Sequence, residues 1–492
     1  MNPTRKIFRG ATIFFLASIL AAGLGYGIRI LFARSLTPAE YGLFYAVLGF
    51  VSFFSGFKAL GVNSAAVKYF AEFAAHNQDQ HIKNTARYLL LVQLIVFIPL
   101  VILGAIFADY LAINYFKDAA AAPILIIILL AFLLSILETL FTALFQGLQH
   151  IKSFSTVDSI GNLLILGIAY ILFKFMHGAI VPAYAYLGSF LLVPIVYIVL
   201  LKKVYPQFFR TKAQPDRPLL HRLFNYGLPL TGGIVATSLL ASADTLILTY
   251  FRTLQEVGYY QVALPVVALL RYFGKSVSVI ILPLSSELFV TNKKELSLSV
   301  AHVLRIIIVI ITPLALAVSV YAESIIRILF GTAYLSAVPA LQILGISAIL
   351  GTISILTINV LLGIGDVKSQ AFAYIFGAAV TVILDLFLIP SLGIAGAALG
   401  TTLGGLAMVC YSAYRLTTQL TKPIPLFDWA KTIIAASAFV LVAQLFNGIF
   451  LLPIVDILVG SIAAGLVYLG IILFLRVLTF KEIKRLFERV RA

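Results

Sequence analysis

Charged residues are scarce in this sequence. Only 11% of its 492 residues are charged, whereas 62% are hydrophobic and the mean hydropathy is +1.07. Soluble domains carry about 25% charged and roughly 45–50% apolar residues, so this composition excludes a soluble enzyme and a disordered chain. The single cysteine, Cys410, excludes an internal disulfide framework. We therefore predict an all-α integral membrane protein.

Chemical motifs are also lacking. The sequence has no phosphate-binding glycine loop, no nucleophile elbow and no clustered catalytic carboxylates, and its six histidines show no metal-ligand spacing. We therefore predict no enzymatic activity, no metal and no cofactor. The formal charge of +16 would suggest nucleic acid in a soluble protein. In a membrane protein it indicates basic cytoplasmic loops instead, so we expect no nucleic-acid partner.

Long apolar runs fill most of the chain. A bilayer core needs about 20 apolar residues per helix, and charged or Pro/Gly-rich joints divide the sequence into fourteen predicted spans. Their residue ranges are 9–33, 39–75, 84–108, 121–148, 152–176, 178–202, 219–251, 255–290, 296–321, 334–364, 367–389, 393–418, 428–447 and 454–476. The first run exceeds the 7–15 residues of a typical signal-peptide core. We therefore predict an uncleaved first span.

The distribution of basic residues predicts the orientation. With a cytoplasmic N-terminus, 26 of the 35 Lys and Arg residues fall on the cytoplasmic side, six on the outer side and three inside helices. Basic residues favour the cytoplasmic side, so we expect both termini there, in the plasma (inner) membrane. No connection exceeds about 20 residues, which leaves no room for an extramembrane domain.

An internal repeat relates the two halves at a shift of 214 to 217 residues. The hexapeptide 37–42 matches 253–258, and Pro99 matches Pro313. Each repeat contains six spans, so both halves have the same orientation and form parallel lobes around a central cavity. The predicted organisation is an N-terminal lobe, a cytoplasmic linker, a C-terminal lobe, two extra transmembrane helices and a basic cytoplasmic tail at residues 1–202, 203–218, 219–418, 419–476 and 477–492.

The repeated hexapeptides carry a helix-capping signal. Thr37 with Glu40, and Thr253 with Glu256, have the spacing of a capping box, in which each side chain satisfies the backbone amide of the other residue. Pro38 suits the first helical position. We therefore predict a structural role for both glutamates.

Three cations inside predicted spans, and a fourth towards the outer end of the first span, are the candidate site residues. A Lys or Arg at the bilayer centre costs about 2.5–3.5 kcal/mol on insertion scales, so it usually faces a cavity or a partner. The candidates are Arg29, Lys58, Arg271 and Lys275. Lys58 shifted by 217 residues is Lys275, so the repeat relates these two positions.

A structural alternative remains for these cations: they could pair with buried acids or extend to an interface. The intramembrane acids are Glu138, Asp158, Asp244 and Asp385. Asp244 is the best partner for Arg271, because its span directly precedes the one that carries Arg271. Asp244, Glu138 and Asp158 are also the candidates for coupling an ion, whereas Asp385 is expected nearer the outer interface.

Three segments resemble the polysaccharide biosynthesis flippases of the multidrug, oligosaccharidyl-lipid and polysaccharide exporter superfamily. They are residues 35–44, 60–62 and 68–72, and the likeness continues through Gly363 to Gly404. The resemblance implies a V-shaped molecule whose central cavity opens alternately to each side. In related lipid II flippases, cations on the first, second and eighth helices line the cavity, and the last two helices help to form a groove for the lipid tail.

The resemblance implies that a polyprenyl-(di)phosphate-linked oligosaccharide moves from the inner to the outer leaflet. A sodium gradient, a proton gradient or the membrane potential would drive this movement. The partners would be the lipid-linked substrate, membrane lipids and polysaccharide assembly enzymes. The alternative function is a cation-coupled multidrug exporter of the same superfamily. A membrane polymerase or ligase would need a sizeable outer loop, which is lacking here.

Overall fold

The structure is a computed structural model that describes residues 3–450, 452–479 and 482, without the side chains of residues 3–18, 151–152, 154–156 and 158. Most of the predicted basic tail, at residues 480–481 and 483–492, lies outside this description. The helices are α1 Pro3–Ser35, α2 Pro38–Ser55, α3 Val62–Ala75, α4 Asp79–Ile106, α5 Ala108–Leu111, α6 Ala121–Gly147, α7 Ile151–Leu172, α8 Ile180–Val204, α9 Gln207–Arg210, α10 Arg217–Phe251, α11 Leu254–Thr291, α12 Lys293–Val320, α13 Ala322–Leu329, α14 Val338–Gly363, α15 Val367–Leu392, α16 Ile394–Gln419, α17 Leu426–Leu445 and α18 Pro453–Phe474.

The described residues form helices and connecting turns, with no strand among them. Within this part of the chain, eleven helices are long and apolar enough to cross a membrane. The three remaining predicted spans fall on α1, on α2 with α3, and on α7, where the apolar stretch Ser159–Leu172 is shorter. The all-α membrane architecture is confirmed, and the total of fourteen spans stays a prediction.

The second predicted span, residues 39–75, is interrupted. Helix α2 ends at Ser55 and α3 begins at Val62. Between them Leu60 and Gly61 have φ angles of 44° and 72°, in the left-handed region that interrupts a helix. A Cβ on Gly61 would lie 2.0 Å from the carbonyl oxygen of Gly227 on α10, so only glycine fits there. The repeat-related span 255–290 is instead the continuous helix α11.

The predicted capping box at the start of α2 is confirmed. The backbone amide of Thr37 donates to Glu40 Oε2 at 2.9 Å, and the amide of Glu40 donates to Thr37 Oγ1 at 3.3 Å. In the second repeat, Thr253 Oγ1 accepts from the amide of Glu256 at 3.3 Å. The Glu256 carboxylate also accepts from Arg252 Nε at 2.8 Å. The full capping box is therefore confirmed at Glu40, and the threonine half of it is present at Glu256.

The chain divides into two compact units, Met1–Gly258 and Tyr259–Ala492. In the first, α6 packs against α3, α4 and α8, while α10 packs against α2 and α3. Fully buried Phe70, Phe145 and Tyr197 belong to its core. In the second, α16 packs against α14 and α15, and α12 packs against α14 and α17. The predicted lobe boundaries stay predictions.

The repeated hexapeptides meet at a close helix crossing within the first compact unit. A Cβ on Gly42 of α2 would lie 1.8 Å from the carbonyl oxygen of Leu254. A Cβ on Gly258, at the start of α11, would lie 2.1 Å from the carbonyl oxygen of Pro38. The two contacts are reciprocal, because each glycine faces the first residue of the opposite helix. The repeat thus makes this crossing self-complementary.

The turn between α14 and α15 is tied to the end of α16. Asp366 Oδ2 accepts from Arg415 Nη2 at 2.8 Å and from Gln419 Nε2 at 2.7 Å, while Asp366 Oδ1 accepts from the amide of Ser369 at 3.1 Å. Burial acts to raise the pKa of Asp366, but the hydrogen bonds from Arg415 and Ser369 outweigh it and hold the pKa below its ordinary value.

We expect Asp366→Asn to lower the thermal unfolding midpoint at pH 7, on the order of 2 °C. A depressed carboxyl pKa contributes stability above the unfolded pKa of about 3.9 and loses it as pH falls through the folded pKa. The difference in unfolding midpoint between wild type and Asp366→Asn should therefore become smaller below about pH 4. Glu323→Gln, on an exposed pair with Arg327, is the matched control. A deficit that is the same at both pH values would contradict the charge-based explanation.

Candidate functional site

Lys58 lies in the turn between α2 and α3. Its side chain is half-buried, and Nζ donates to Ser135 Oγ on α6 at 3.1 Å. Ser135 Oγ in turn donates to the carbonyl of Phe132 at 2.7 Å. The charge of Glu138, one turn further along α6, also acts on the Lys58 ammonium. The helix interruption therefore places this cation against a polar turn of a neighbouring helix, among otherwise apolar residues.

Arg29 is surrounded by tyrosine side chains in the first unit. Its Cζ lies 4.5 Å from the ring centroid of Tyr45 on α2, and Tyr41 and Tyr186 also act electrostatically on the guanidinium. Tyr41 and Tyr45 are buried. A guanidinium within about 6 Å of an aromatic centroid is attracted by the ring quadrupole. The side chain thus packs against protein instead of extending away from it.

Arg271 is tied to α14 within the second unit. Its Nη2 donates to Ser347 Oγ at 3.4 Å, and Ser347 is buried. A Cβ on Gly351 would lie 3.2 Å from Arg271 Nε, so the absence of a side chain there leaves room for the guanidinium. Arg271 therefore resembles Lys58 in approaching a buried serine on a neighbouring helix.

Lys275 has a different environment from its repeat partner. Its side chain is exposed, and Nζ lies 5.3 Å from the ring centroid of Tyr272, three residues earlier on α11. Lys58 is half-buried and bonded to another helix. The difference follows from the backbone, because α11 continues through the position at which α2 ends. Arg271 and Lys275 are four residues apart, but only Arg271 has a described hydrogen bond to α14.

The intramembrane acids occupy distinct positions. Glu138 lies near Lys58 on α6, and Asp244 is buried on α10 with 7% of its surface exposed. Asp385 is fully buried on α15, where a Cβ on Gly400 of α16 would lie 2.0 Å from its Oδ1. The expectation that Asp385 lies nearer the outer interface stays a prediction, because burial between helices does not give its depth in a membrane. The side chain of Asp158, on α7, lies outside the described residues.

Polar partners of the cations were missed from the sequence. Ser135, Ser347 and Tyr45 each contact a candidate cation, yet none carries a charge or a motif. One signal was available, because Ser135 and Glu138 place two polar side chains on adjacent turns of the very apolar α6. Among the described residues, no group of three or more His, Cys, Asp or Glu side chains is arranged to hold a metal ion.

The fold is shared with solved membrane transporters. The lipid II flippase MurJ, in an inward closed conformation, superposes with a TM-score of 0.77 at 18% identity, covering 94% of this chain and 99% of that chain. An inward-facing multidrug resistance MATE family transporter of the MOP superfamily gives a TM-score of 0.65 at 16% identity, covering 81% and 94%. At these identities the comparison establishes the fold. The chain is thus a multi-span membrane protein with a MurJ/MATE-like fold.

The family follows from sequence similarity. The family model described as polysaccharide biosynthesis protein matches residues 7–289. The membrane protein MJ1068 of Methanocaldococcus jannaschii is 31% identical over 509 residues, spanning 100% of this chain and 99% of the relative. The probable low-salt glycan biosynthesis flippase Agl15 of Haloferax volcanii is 24% identical over 399 residues, spanning 80% of each. The chain belongs to the polysaccharide biosynthesis protein family, which confirms the resemblance.

Proposed function

We propose that this protein is a flippase that moves a polyprenyl-(di)phosphate-linked oligosaccharide from the inner to the outer leaflet. The observation that carries the proposal is the half-buried Lys58, which a helix interruption holds inside a predicted span. Family membership supports it, and so does the relative Agl15, whose name describes a probable glycan biosynthesis flippase.

The charge chemistry of the cations suits a diphosphate. A diphosphate cannot enter hydrocarbon without compensation for its lost hydration. Lys58, Arg271 and Arg29 would neutralise it, and an arginine fork can make two parallel hydrogen bonds to phosphate oxygens. Lys275 would add a further charge from an exposed position. The hydroxyl groups of Ser135 and Ser347 contact Lys58 and Arg271 without adding a negative charge, and Glu138 partly offsets the charge of Lys58.

Transport would proceed by alternating access. In this proposal residues 1–202 and 219–418 form two lobes joined by a linker at 203–218, and the headgroup crosses in a central cavity while the lipid tail stays in the bilayer. Residues 419–476 would flank the tail. Both termini would face the cytoplasm at the plasma membrane, where polysaccharide assembly enzymes would supply the substrate.

A cation gradient or the membrane potential would drive the cycle. Asp244 is the strongest coupling candidate, because it is buried and ionisable residues inside membrane helices often mark ion pathways or proton relays. Glu138 and Asp158 are the other two candidates. A sodium gradient and a proton gradient are both compatible with carboxylate ligands.

The second candidate function is a cation-coupled multidrug exporter. The buried carboxylates of Asp244 and Asp385 favour it, since acidic groups attract cationic drugs. The shared fold with a MATE transporter is compatible with it. The half-buried cations weigh against it, because they would repel a cationic cargo.

A leaflet assay distinguishes the two functions. The gene is deleted, lipid-linked oligosaccharides are quantified in each leaflet, and the strain is complemented with wild type, Lys58→Ala/Arg271→Ala or Lys174→Ala. We expect inner-leaflet accumulation that wild type and Lys174→Ala relieve and the double variant does not. Lys174 is an exposed lysine over Tyr170 and serves as the matched control. Membrane abundance must be equal in all strains.

Full activity of the double variant would refute the role of these cations. Absence of accumulation, together with increased retention of a cationic dye, would refute the flippase and support the drug exporter.

A further inference from the structure

A polar surface cavity lies in the first compact unit, away from the intramembrane cations. Its volume is 460 Å³, within the size range of small-molecule sites. It is bounded by the end of α3, the start of α4 and the start of α10. Its lining includes Glu72, Phe73, Gln78, His81, Asp216 and Arg222.

The cavity wall is held by hydrogen bonds that leave ligand-facing groups available. The amide of Asp216 donates to Tyr88 Oη at 2.6 Å, and the amide of Gln214 donates to Asn84 Oδ1 at 2.8 Å. Asp216 Oδ1 accepts from the amide of Leu219 at 3.0 Å. The end of the predicted linker is thus fastened to α4, so the site is formed before any ligand arrives.

The ring of His81 forms part of the cavity wall. His81 Nδ1 is buried and has no hydrogen-bond partner among the described residues. It lies 3.6 Å from Asp216 Oδ2, beyond hydrogen-bond distance. The ring of His81 packs against Phe73, with centroids 5.0 Å apart. The His81 side chain is 43% exposed, so its ring borders the open part of the cavity.

Aromatic rings lie one helical turn from the cavity. Tyr226 is 41% exposed and follows Arg222 by four residues on α10. Lys68 Nζ lies 4.4 Å from the Tyr226 ring centroid and 5.1 Å from that of Tyr69. Tyr69 and Tyr226 are 6.4 Å apart, edge to face. The exposed ring of Tyr226 can pack against the apolar face of a flat ligand. The contact with Lys68 helps to orient the Tyr226 ring.

The charged and polar side chains around the cavity indicate which class of ligand it could bind. Glu72 and Asp216 would repel an anion, and the two nearby cations, Arg222 and Lys68, would repel a cation. The described side chains do not form a metal-binding group. Carboxylate acceptors and guanidinium and amide donors occur together in the lining, and the exposed Tyr226 ring lies one helical turn away. A neutral polyhydroxylated ring satisfies all of these groups.

We propose that this cavity binds a hexose unit of the sugar headgroup before the headgroup enters the membrane. The proposal rests on the proposed flippase function. Glu72 and Asp216 accept hydrogen bonds from sugar hydroxyls, Arg222 and Gln78 donate to them, and Tyr226 packs against the ring. The cavity lies beside predicted cytoplasmic connections, where a substrate assembled on the inner leaflet would first meet the protein.

The test uses full-length protein in lipid nanodiscs. The first probe is the oligosaccharide released by mild acid from the cell's own lipid-linked pool, and the second is the intact lipid-linked molecule. Affinity for the released sugar is measured by saturation-transfer NMR. We expect Glu72→Gln and Tyr226→Leu to weaken it at least tenfold, while Tyr226→Phe, which keeps the ring, and Lys174→Gln retain it.

The outcomes separate this proposal from the flippase itself. Lys58→Ala should leave binding of the released sugar unchanged but abolish transport in the leaflet assay. Sugar binding that survives both Glu72→Gln and Tyr226→Leu, or that is absent from wild type, would overturn the cavity proposal while leaving the flippase intact. If only the intact lipid-linked molecule binds, and Lys58→Ala removes that binding, recognition occurs in the membrane instead and the cavity proposal fails.

Discussion

Replacing Lys58 by glutamine is expected to lower transport about a hundredfold without loss of the protein from the membrane. Removing one member of a buried charge interaction costs about 2–5 kcal/mol, and 1.36 kcal/mol corresponds to a tenfold change in rate. Lys58→Arg keeps the positive charge and should retain most of the activity. The measurement is the initial rate of headgroup appearance in the outer leaflet.

Glu138 allows a sharper version of this experiment. If Lys58 serves only to neutralise Glu138, then the double variant Lys58→Gln/Glu138→Gln restores both stability and transport, because no uncompensated carboxylate remains. If Lys58 binds the diphosphate, the double variant regains thermal stability but transports less than Glu138→Gln alone, the control that isolates any coupling role of Glu138. We expect the second result. Recovery of transport in the double variant would rule out Lys58 as a substrate ligand.

We expect the largest effect on stability at the crossing of α2 and α11, where Gly42 and Gly258 lie. Gly42→Ala and Gly258→Ala each place a methyl group about 2 Å from an opposing carbonyl oxygen, at 1.8 Å and 2.1 Å respectively. The two helices must then separate, and overpacking of this kind costs about 1–3 kcal/mol. We expect each variant to unfold at a lower temperature in detergent.

The double variant Gly42→Ala/Gly258→Ala should cost less than the sum of the two single variants, because one separation of the helices relieves both overlaps. Gly232→Ala on α10 is the control, since a methyl group at that position would have no described atom within 4 Å of it. A glycine-to-alanine change there should be neutral or slightly stabilising. Equal unfolding temperatures for Gly42→Ala and Gly232→Ala would contradict the close crossing.

Several features of the fold were predictable because they depend on short stretches of chain. Apolar runs indicated the membrane helices, and the spacing of Thr37 and Glu40 indicated a cap that the structure confirms. The hexapeptide repeat predicted equivalent helix starts, which Thr253 and Glu256 also form. The intramembrane cations could also be identified from the sequence, because a Lys or Arg inside a long apolar run is rare.

The surroundings of those cations were not predictable in the same way. Because the internal repeat relates Lys58 to Lys275, similar surroundings were expected for the two side chains. In the structure Lys58 is half-buried against Ser135, whereas Lys275 is exposed. The turn at Gly61 produces this difference, and it depends on the backbone of Gly227, more than 160 residues away. The polar cavity near His81 also combines segments that are about 140 residues apart.

The amino-acid sequence was sufficient for the membrane class, the internal repeat, the helix caps and the family, because hydropathy, capping and family motifs are properties of contiguous residues. Tertiary structure decided where α2 ends, which serines contact Lys58 and Arg271, that Arg29 packs against tyrosines and that Asp385 is buried. These outcomes depend on how closely distant helices approach one another. That distance is set by the glycines and side chains on both helices together, and neither helix encodes it alone.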